Sequence, residues 1–195
     1  LITRKTQGDK VWWVFANDYG SPASLSGRRA ACSAASALMQ FGGNGLTRDE
    51  LSRRMEMLKA TWNISLSGIY LEVPRNNLQE AFAILFSVWK DPLLPVHEFN
   101  SYKSGLITYF ESQLKNSVSL ADNASRLRFD NFPSGHWSKP QNFEAQIAET
   151  KALNYEDVKR CIGDFAKISH ARLGVVGNLQ ESEVRALWSK LVISA

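Results

Sequence analysis

Gly27-Arg28-Arg29-Ala30-Ala31-Cys32-Ser33-Ala34-Ala35-Ser36-Ala37-Leu38-Met39-Gln40-Phe41-Gly42 is the stretch from which the fold is read. Alanine is the strongest helix former, and the run Gly42-Gly43-Asn44-Gly45 stops a helix. A helix from about Leu25 to Phe41 is therefore expected, built from side chains small enough for close packing. The glycine run lacks the Lys-Ser/Thr of a phosphate-binding loop and follows a helix instead of a strand, so it is read as a helix stop at a tight turn.

Upstream, Val11-Trp12-Trp13-Val14-Phe15-Ala16 is apolar and rich in aromatic and β-branched residues, as in a buried strand ending near Asp18-Tyr19-Gly20-Ser21-Pro22. Trp12 and Trp13 then point to opposite sheet faces, and one of them is free to meet a neighbouring domain. Downstream, Thr47-Arg48-Asp49-Glu50 is a capping-box signature for a helix carrying Leu51, Met55 and Leu58. Two alternating strands follow. Trp62, Ile64 and Leu66 share a face with Ile69, Leu71 and Val73 if Ser67-Gly68 forms the hairpin turn.

From Pro74 the period becomes helical. Leu78, Ala81, Phe82, Leu85, Phe86 and Trp89 recur at three- and four-residue steps, and Asp91-Pro92 ends the run. Phe99, Tyr102, Leu106, Ile107, Phe110 and Leu114 form a second long stripe, and a third helix is expected over about Leu120–Phe129. The segment 132–140 reads as a Pro/Gly loop. Asn154 is placed to cap a helix burying Tyr155, Val158, Ile162 and Phe165. Arg172–Gly177 reads as an interior strand, and Val184, Leu187, Trp188 and Leu191 as a closing helix. The order predicts an α+β fold, with helices layered on one face of a mainly antiparallel sheet. No composition shift demands a second domain.

The 195 residues suffice for one core, hiding roughly 70% of the unfolded surface. A hydrophobic share of 44% and a charged share of 22% are ordinary for a globular protein. No run approaches the ~18 apolar residues of a membrane helix. The net charge of +4 is mild, and the basic pairs Arg28-Arg29, Arg53-Arg54 and Arg126-x-Arg128 are dispersed, which argues against nucleic acid as a partner. Leu1-Ile2-Thr3-Arg4-Lys5 has neither an initiator Met nor a signal-peptide pattern and reads as a cut from a longer polypeptide. Cys32 and Cys161 match no metal or redox spacing; a buried free thiol is expected at Cys32 in preference to a disulfide between the two, and the redox compartment stays open.

Several segments in order carry a resemblance to the pitrilysin/insulinase family of inverzincin metallopeptidases, and it spans essentially the whole chain. Lys5-Thr6-Gln7-Gly8-Asp9-Lys10-Val11 with Tyr19-Gly20 and Gly27 resembles the opening of the third of that family's four repeats. Asp91-Pro92-Leu93-Leu94-Pro95 with Glu98-Phe99 and Lys103 is similar to the segment joining its two long helices. Leu153-Asn154-Tyr155-Glu156-Asp157-Val158 with Leu173-Gly174-Val175-Val176-Gly177-Asn178 resembles its closing helix and strand. In catalytic repeats the first histidine of H-x-x-E-H lies nine residues before the helix-closing glycine, and here that register reads Ser33-Ala34-Ala35-Ser36-Ala37. The motif sets two imidazoles on one helical face for zinc, with the glutamate as general base; serine and alanine supply neither. The third ligand, a glutamate on the second long helix, falls near Tyr109-Phe110. Glu111 is one residue out of step.

The resemblance therefore implies a single non-catalytic repeat over residues 1–195, the third domain of a longer chain, with no catalytic residue, no metal ligand, no assigned substrate-binding residue and no cofactor. Zinc is expected in the catalytic repeat of the parent, a peptide-bond hydrolase. The expected role is wall and hinge surface of a substrate chamber, with other repeats of the same polypeptide and the parent's peptide substrate as partners. Self-association of the isolated fragment and an envelope or periplasmic address are further implications. The alternative is a scaffold or peptide-binding subunit of a wholly inactive relative. Other chemistry is not apparent. His97-Glu98 resembles H-E-x-x-H but has Ser101 four residues on, so it reads as surface residues at a helix start. His136 and His170 lack a third ligand or a nucleophile, and Gly174-x-x-Gly177 is too short for a dinucleotide site.

Overall fold

A computed structural model of the chain describes residues 8–189. Two compact units are present: a sheet unit formed by Leu1–Tyr19, Ser36–Leu94 and Ala166–Ala195, and a helical unit formed by Gly20–Ala35 and Pro95–Phe165.

In the sheet unit the strands β1 (Lys10–Asn17), β4 (Thr61–Ser65), β5 (Gly68–Pro74) and β6 (Ala171–Val176) form one antiparallel sheet in the order β4-β5-β1-β6. Alternation sets the faces. Val11, Trp13 and Phe15 of β1 point inward with Ile64, Ile69, Leu71 and Val73, and all are buried. The amphipathic helix α3 (Leu78–Lys90) covers that face, burying Leu78, Ala81, Phe82, Leu85, Phe86, Val88 and Trp89. Aromatic rings interlock there: Trp13 lies 4.8 Å from Phe82, and Phe15 lies edge-on to Trp89 at 4.9 Å. The Trp89 indole N–H donates to the Ser65 carbonyl at 2.9 Å. Helix α8 (Glu181–Trp188) adds Val184, buried, and Trp188, 5.9 Å from Phe15. A two-strand ribbon, β2 (Gly42–Gly43) and β3 (Leu46–Thr47), precedes helix α2 (Arg48–Met57), whose capping box between Thr47 and Glu50 forms as expected.

Helix α1 (Arg29–Leu38) contributes its residues up to Ala35 to the helical unit and those from Ser36 on to the sheet unit. The rest of the helical unit is α4 (Val96–Gln113), α5 (Ser117–Arg128), α6 (Phe143–Ala152) and α7 (Tyr155–Phe165). Asn116 accepts from the Val118 and Ser119 amides, and Asn142 and Asn154 accept from those of Ala145 and Asp157. Each fixes the start of α5, α6 or α7 by meeting amides that the helix leaves unpaired.

The structure corrects the sequence at several points. α1 begins at Arg29, not Leu25, because Leu25–Arg28 turn through Gly27 at φ +70°. Ser65 pairs with Gly68, so the hairpin turn is Leu66-Ser67, one residue earlier than read. Gly68 is instead a strand residue at φ +128°, where a Cβ would collide with the Phe15 carbonyl. β6, read as interior, is an edge strand among the described residues, with Arg172, Gly174 and Val176 open to solvent. α6 had no counterpart in the sequence reading: only Phe143 and Thr150 are buried along it, too few to produce a stripe. Lys5-Thr6-Gln7 and Leu191 lie outside the described residues.

The largest correction concerns the cysteines. Cys32 and Cys161 are not free thiols but a disulfide, with Cα atoms 5.5 Å apart and both residues buried. Both belong to the helical unit, and 129 residues separate them in sequence, a distance over which sequence spacing carries no pairing signal.

Phe15 touches three aromatic neighbours, so Phe15→Ala leaves a cavity at the centre of the sheet unit and is expected to cost ~3–5 kcal/mol. Urea unfolding followed by tryptophan fluorescence should show the midpoint falling by at least ~1 M. Charge also holds this unit. The Thr47 amide holds the Glu50 carboxyl below its ordinary value, the Lys10 ammonium does so for Glu72, and the Gln180 amide followed by the Arg75 guanidinium does so for Glu183. A carboxyl depressed in the folded state stabilises above its unfolded pKa and loses that contribution as pH falls through its folded value. The urea midpoint should therefore hold near neutrality and fall below the ordinary carboxylate range. The variant E50Q/E72Q/E183Q should flatten that acid slope.

Candidate functional site

The helix that would carry a metal motif has two sides. Ala31, Cys32, Ala34, Ala35 and Leu38 are buried. Ser33 is exposed and Ser36 and Ala37 are half-buried, so the three positions of the H-x-x-E-H register share the open side of α1. This follows from helical spacing: residues three and four apart fall on one face.

Within the helical unit, Ser33 lines a cleft of about 210 Å³ with Arg29, Tyr102, Leu106, Phe110 and Glu149 among its walls. The first ligand position on α1 and Phe110 of the third-ligand register on α4 therefore meet at one cavity. Glu111 is exposed and is not among the lining residues. Phe110 lies half-buried, 6.3 Å from the Phe143 ring, and Tyr109 is exposed. Burial pushes the Tyr102 phenol above its ordinary pKa, so at neutral pH it stays an uncharged hydrogen-bonding group.

The polar groups around the cleft are committed to structure. The Glu149 carboxylate accepts from the Ala30 amide at 3.2 Å and so caps the start of α1. The Arg29 guanidinium donates to the Lys139 carbonyl at 2.9 Å, and the Thr150 hydroxyl to the Gln146 carbonyl at 2.7 Å. In the sheet unit, Ser36, at the general-base position, accepts from the Leu66 amide at 3.4 Å. None of these groups can act as an imidazole or a free carboxylate on the open side of α1. Among the described residues no group of three or more His, Cys, Asp or Glu side chains could hold a metal ion.

Sequence reasoning missed Arg29, Gln141, Gln146, Glu149 and Thr150 as walls of this cleft. Four of them lie on α6 or the turn before it, the element that periodicity did not reveal. The signal that could have found α6 is Asn142, an N-cap residue followed by Phe143-Glu144-Ala145. His97, at the start of α4, is strongly exposed, 3.8 Å from Glu98, as expected of a surface position. His136 accepts the Ser138 amide at Nδ1 and stacks on Phe132 at 4.6 Å. Its role is to hold the loop.

With this geometry in view, solved structures supply the comparison. The peptidase M16 inactive domain from Pseudomonas fluorescens superposes with a TM-score of 0.79 at 14% identity, over 99% of this chain and 47% of that chain. The fold is that of a peptidase M16 inactive domain. A protease from Helicobacter pylori gives a TM-score of 0.70 at 14% identity, over 97% of this chain and 46% of that one. The periplasmic protease PqqL from Escherichia coli gives 0.71 at 14% identity, over 97% of this chain and 22% of that one. The chain thus spans about half the length of the first two and under a quarter of the third. No protein-family model matches the sequence, and no curated protein matches it significantly.

Isothermal titration calorimetry checks the vacancy. The chain should show no stoichiometric, tight zinc binding. The graft S33H/F110H, which places two imidazoles at the cleft of the helical unit, should acquire zinc binding absent from the parent chain.

Proposed function

We propose that this chain is a non-catalytic repeat, the third domain, of a zinc metallopeptidase of the pitrilysin/insulinase type, forming chamber wall instead of doing chemistry. The observation that carries the reading is the pairing of an intact frame with emptied ligand positions. Ser33 and Phe110 stand at one cleft, as the ligands of an active repeat would, and neither can bind zinc. In the parent, zinc held by another repeat would polarise water for attack on the peptide carbonyl.

The outer face of the sheet supports a role beside other repeats of the same polypeptide. Trp12, Val14, Tyr70 and Val176 form an apolar patch there, with Val14 paired to Tyr70 and Trp12 to Val176 across the strands, and each is at least 36% exposed. Large contiguous apolar patches mark interaction surfaces. A sister repeat is the occupant that the half-length coverage of the solved neighbours favours; in the isolated chain the same patch would drive self-association. Two observations favour a periplasmic or envelope address. One comparison structure is a periplasmic protease, and a buried disulfide is typical of chains matured outside a reducing cytosol. No helix among the described residues is long and apolar enough to cross a membrane.

The test is made on the full open reading frame and its product. An H-x-x-E-H motif upstream of this domain, chelator-sensitive peptidase activity in the full protein and none in the 195-residue chain are the expected results. A full protein without the motif and without peptidase activity would overturn the reading in favour of a scaffold. Peptidase activity in the isolated chain would overturn it outright.

A further inference from the structure

We propose that the Cys32–Cys161 disulfide is the element on which the helical unit's fold depends, while the sheet unit stands without it, so that the chain matures only after meeting a thiol oxidant. The two units are unequally provided with core. The twelve largest fully buried side chains, from Trp13 and Trp89 to Ile69 and Leu71, all lie in the sheet unit. In the helical unit, α4 buries only Phe99 along 18 residues, and the one buried side chain of α5 is Asn123, donating to the Gln141 carbonyl at 3.0 Å. The rest of its apolar interior is Leu25, Phe143, Leu153, Val158 and Ile162 beside three alanines of α1, Ala31, Ala34 and Ala35. Burial of a methyl contributes far less than burial of a large apolar side chain. Small or thin cores are commonly fastened by disulfides.

The cross-link sits where such a fastening is needed. It joins α1 to α7 across 129 residues of chain, and closing a loop this long removes a large share of the unfolded chain's freedom. Around it, the Arg28 guanidinium bonds the Asp164 carboxylate at 2.7 Å and stacks on Phe165 at 4.7 Å, both partly exposed contacts that contribute modestly. With Cys32 and Cys161 buried, a reductant reaches the bond only after this end of the unit opens, which suits a permanent staple.

The bond forms by thiol–disulfide exchange with a disulfide oxidant, of protein or small-molecule kind. One cysteine thiolate attacks a sulfur of the oxidant, whose other sulfur leaves as a thiolate and takes up a proton. The second cysteine thiolate then attacks the chain's own sulfur in the mixed disulfide and expels the oxidant's remaining sulfur. Two electrons and two protons pass to the oxidant, which ends as two thiols.

Peptide-resolved amide exchange tests this on the 195-residue chain, comparing the oxidised protein with C32A/C161A and with wild type reduced in mild denaturant and returned to buffer. Amides of α4 to α7 should exchange at least ~30-fold faster without the bond, while those of β1, β5 and α3 stay within ~2-fold. Restoring the bond in the reduced wild type with glutathione disulfide should restore protection. Equal loss in both units, or no loss in the helical unit, would overturn the proposal. So would finding both thiols free in oxidised protein unfolded in denaturant.

Discussion

The sheet unit depends on one aromatic layer. Trp13 and Phe15 project from β1, an inner strand of the sheet, into Phe82, Phe86 and Trp89 of α3, with rings packed edge to face or offset. Such rings bury large areas and prefer these geometries over face-to-face stacking. Because the layer is anchored on alternate residues of β1, it fixes which side of every paired strand faces inward. A slip of one residue would turn Trp12 and Val14 inward and Trp13 and Phe15 to water. The hydrogen bond from Trp89 to Ser65 then ties α3 to the end of the edge strand β4.

The helical unit is built on a different principle. Its helices α5, α6 and α7 start on asparagine caps and α4 meets α6 and α7 through the ring pairs Phe110–Phe143 and Phe99–Tyr155, while much of its apolar surface faces outward: Val118 and Phe129 are about three-quarters exposed. The cleft at Ser33 belongs to this looser half. A site intended for chemistry would hold free titratable groups there. What the cleft holds instead is a carboxylate used as a helix cap, an arginine spent on a carbonyl and a tyrosine kept neutral by burial.

What could be read from the sequence follows the strength of the local signal. The alternation in β1, β4 and β5 and the stripe in α3 were legible because burial on one face is nearly complete, and the Thr47–Glu50 box because its chemistry is local. The register that pairs Ser33 with the Phe110 region was legible through resemblance, and both residues do line one cleft. Where burial is sparse the signal fails. α6 hides two side chains along its length, β6 presents half of its residues to water, and the start of α1 is decided by backbone geometry at Gly27. The disulfide was out of reach for a different reason, since pairing over such a separation is a property of the fold.

The two-sided character of α1 has a consequence for how a repeat can lose its chemistry. Packing is carried by Ala31, Cys32, Ala34, Ala35 and Leu38, whereas the would-be coordinating register lies on the opposite, open flank. Substitution at the exposed Ser33 carries little penalty to the architecture, whereas Ser36 also accepts from the Leu66 amide. Such a helix can change its open flank without disturbing its packed one, whereas building a metal site there requires several coordinated changes at once.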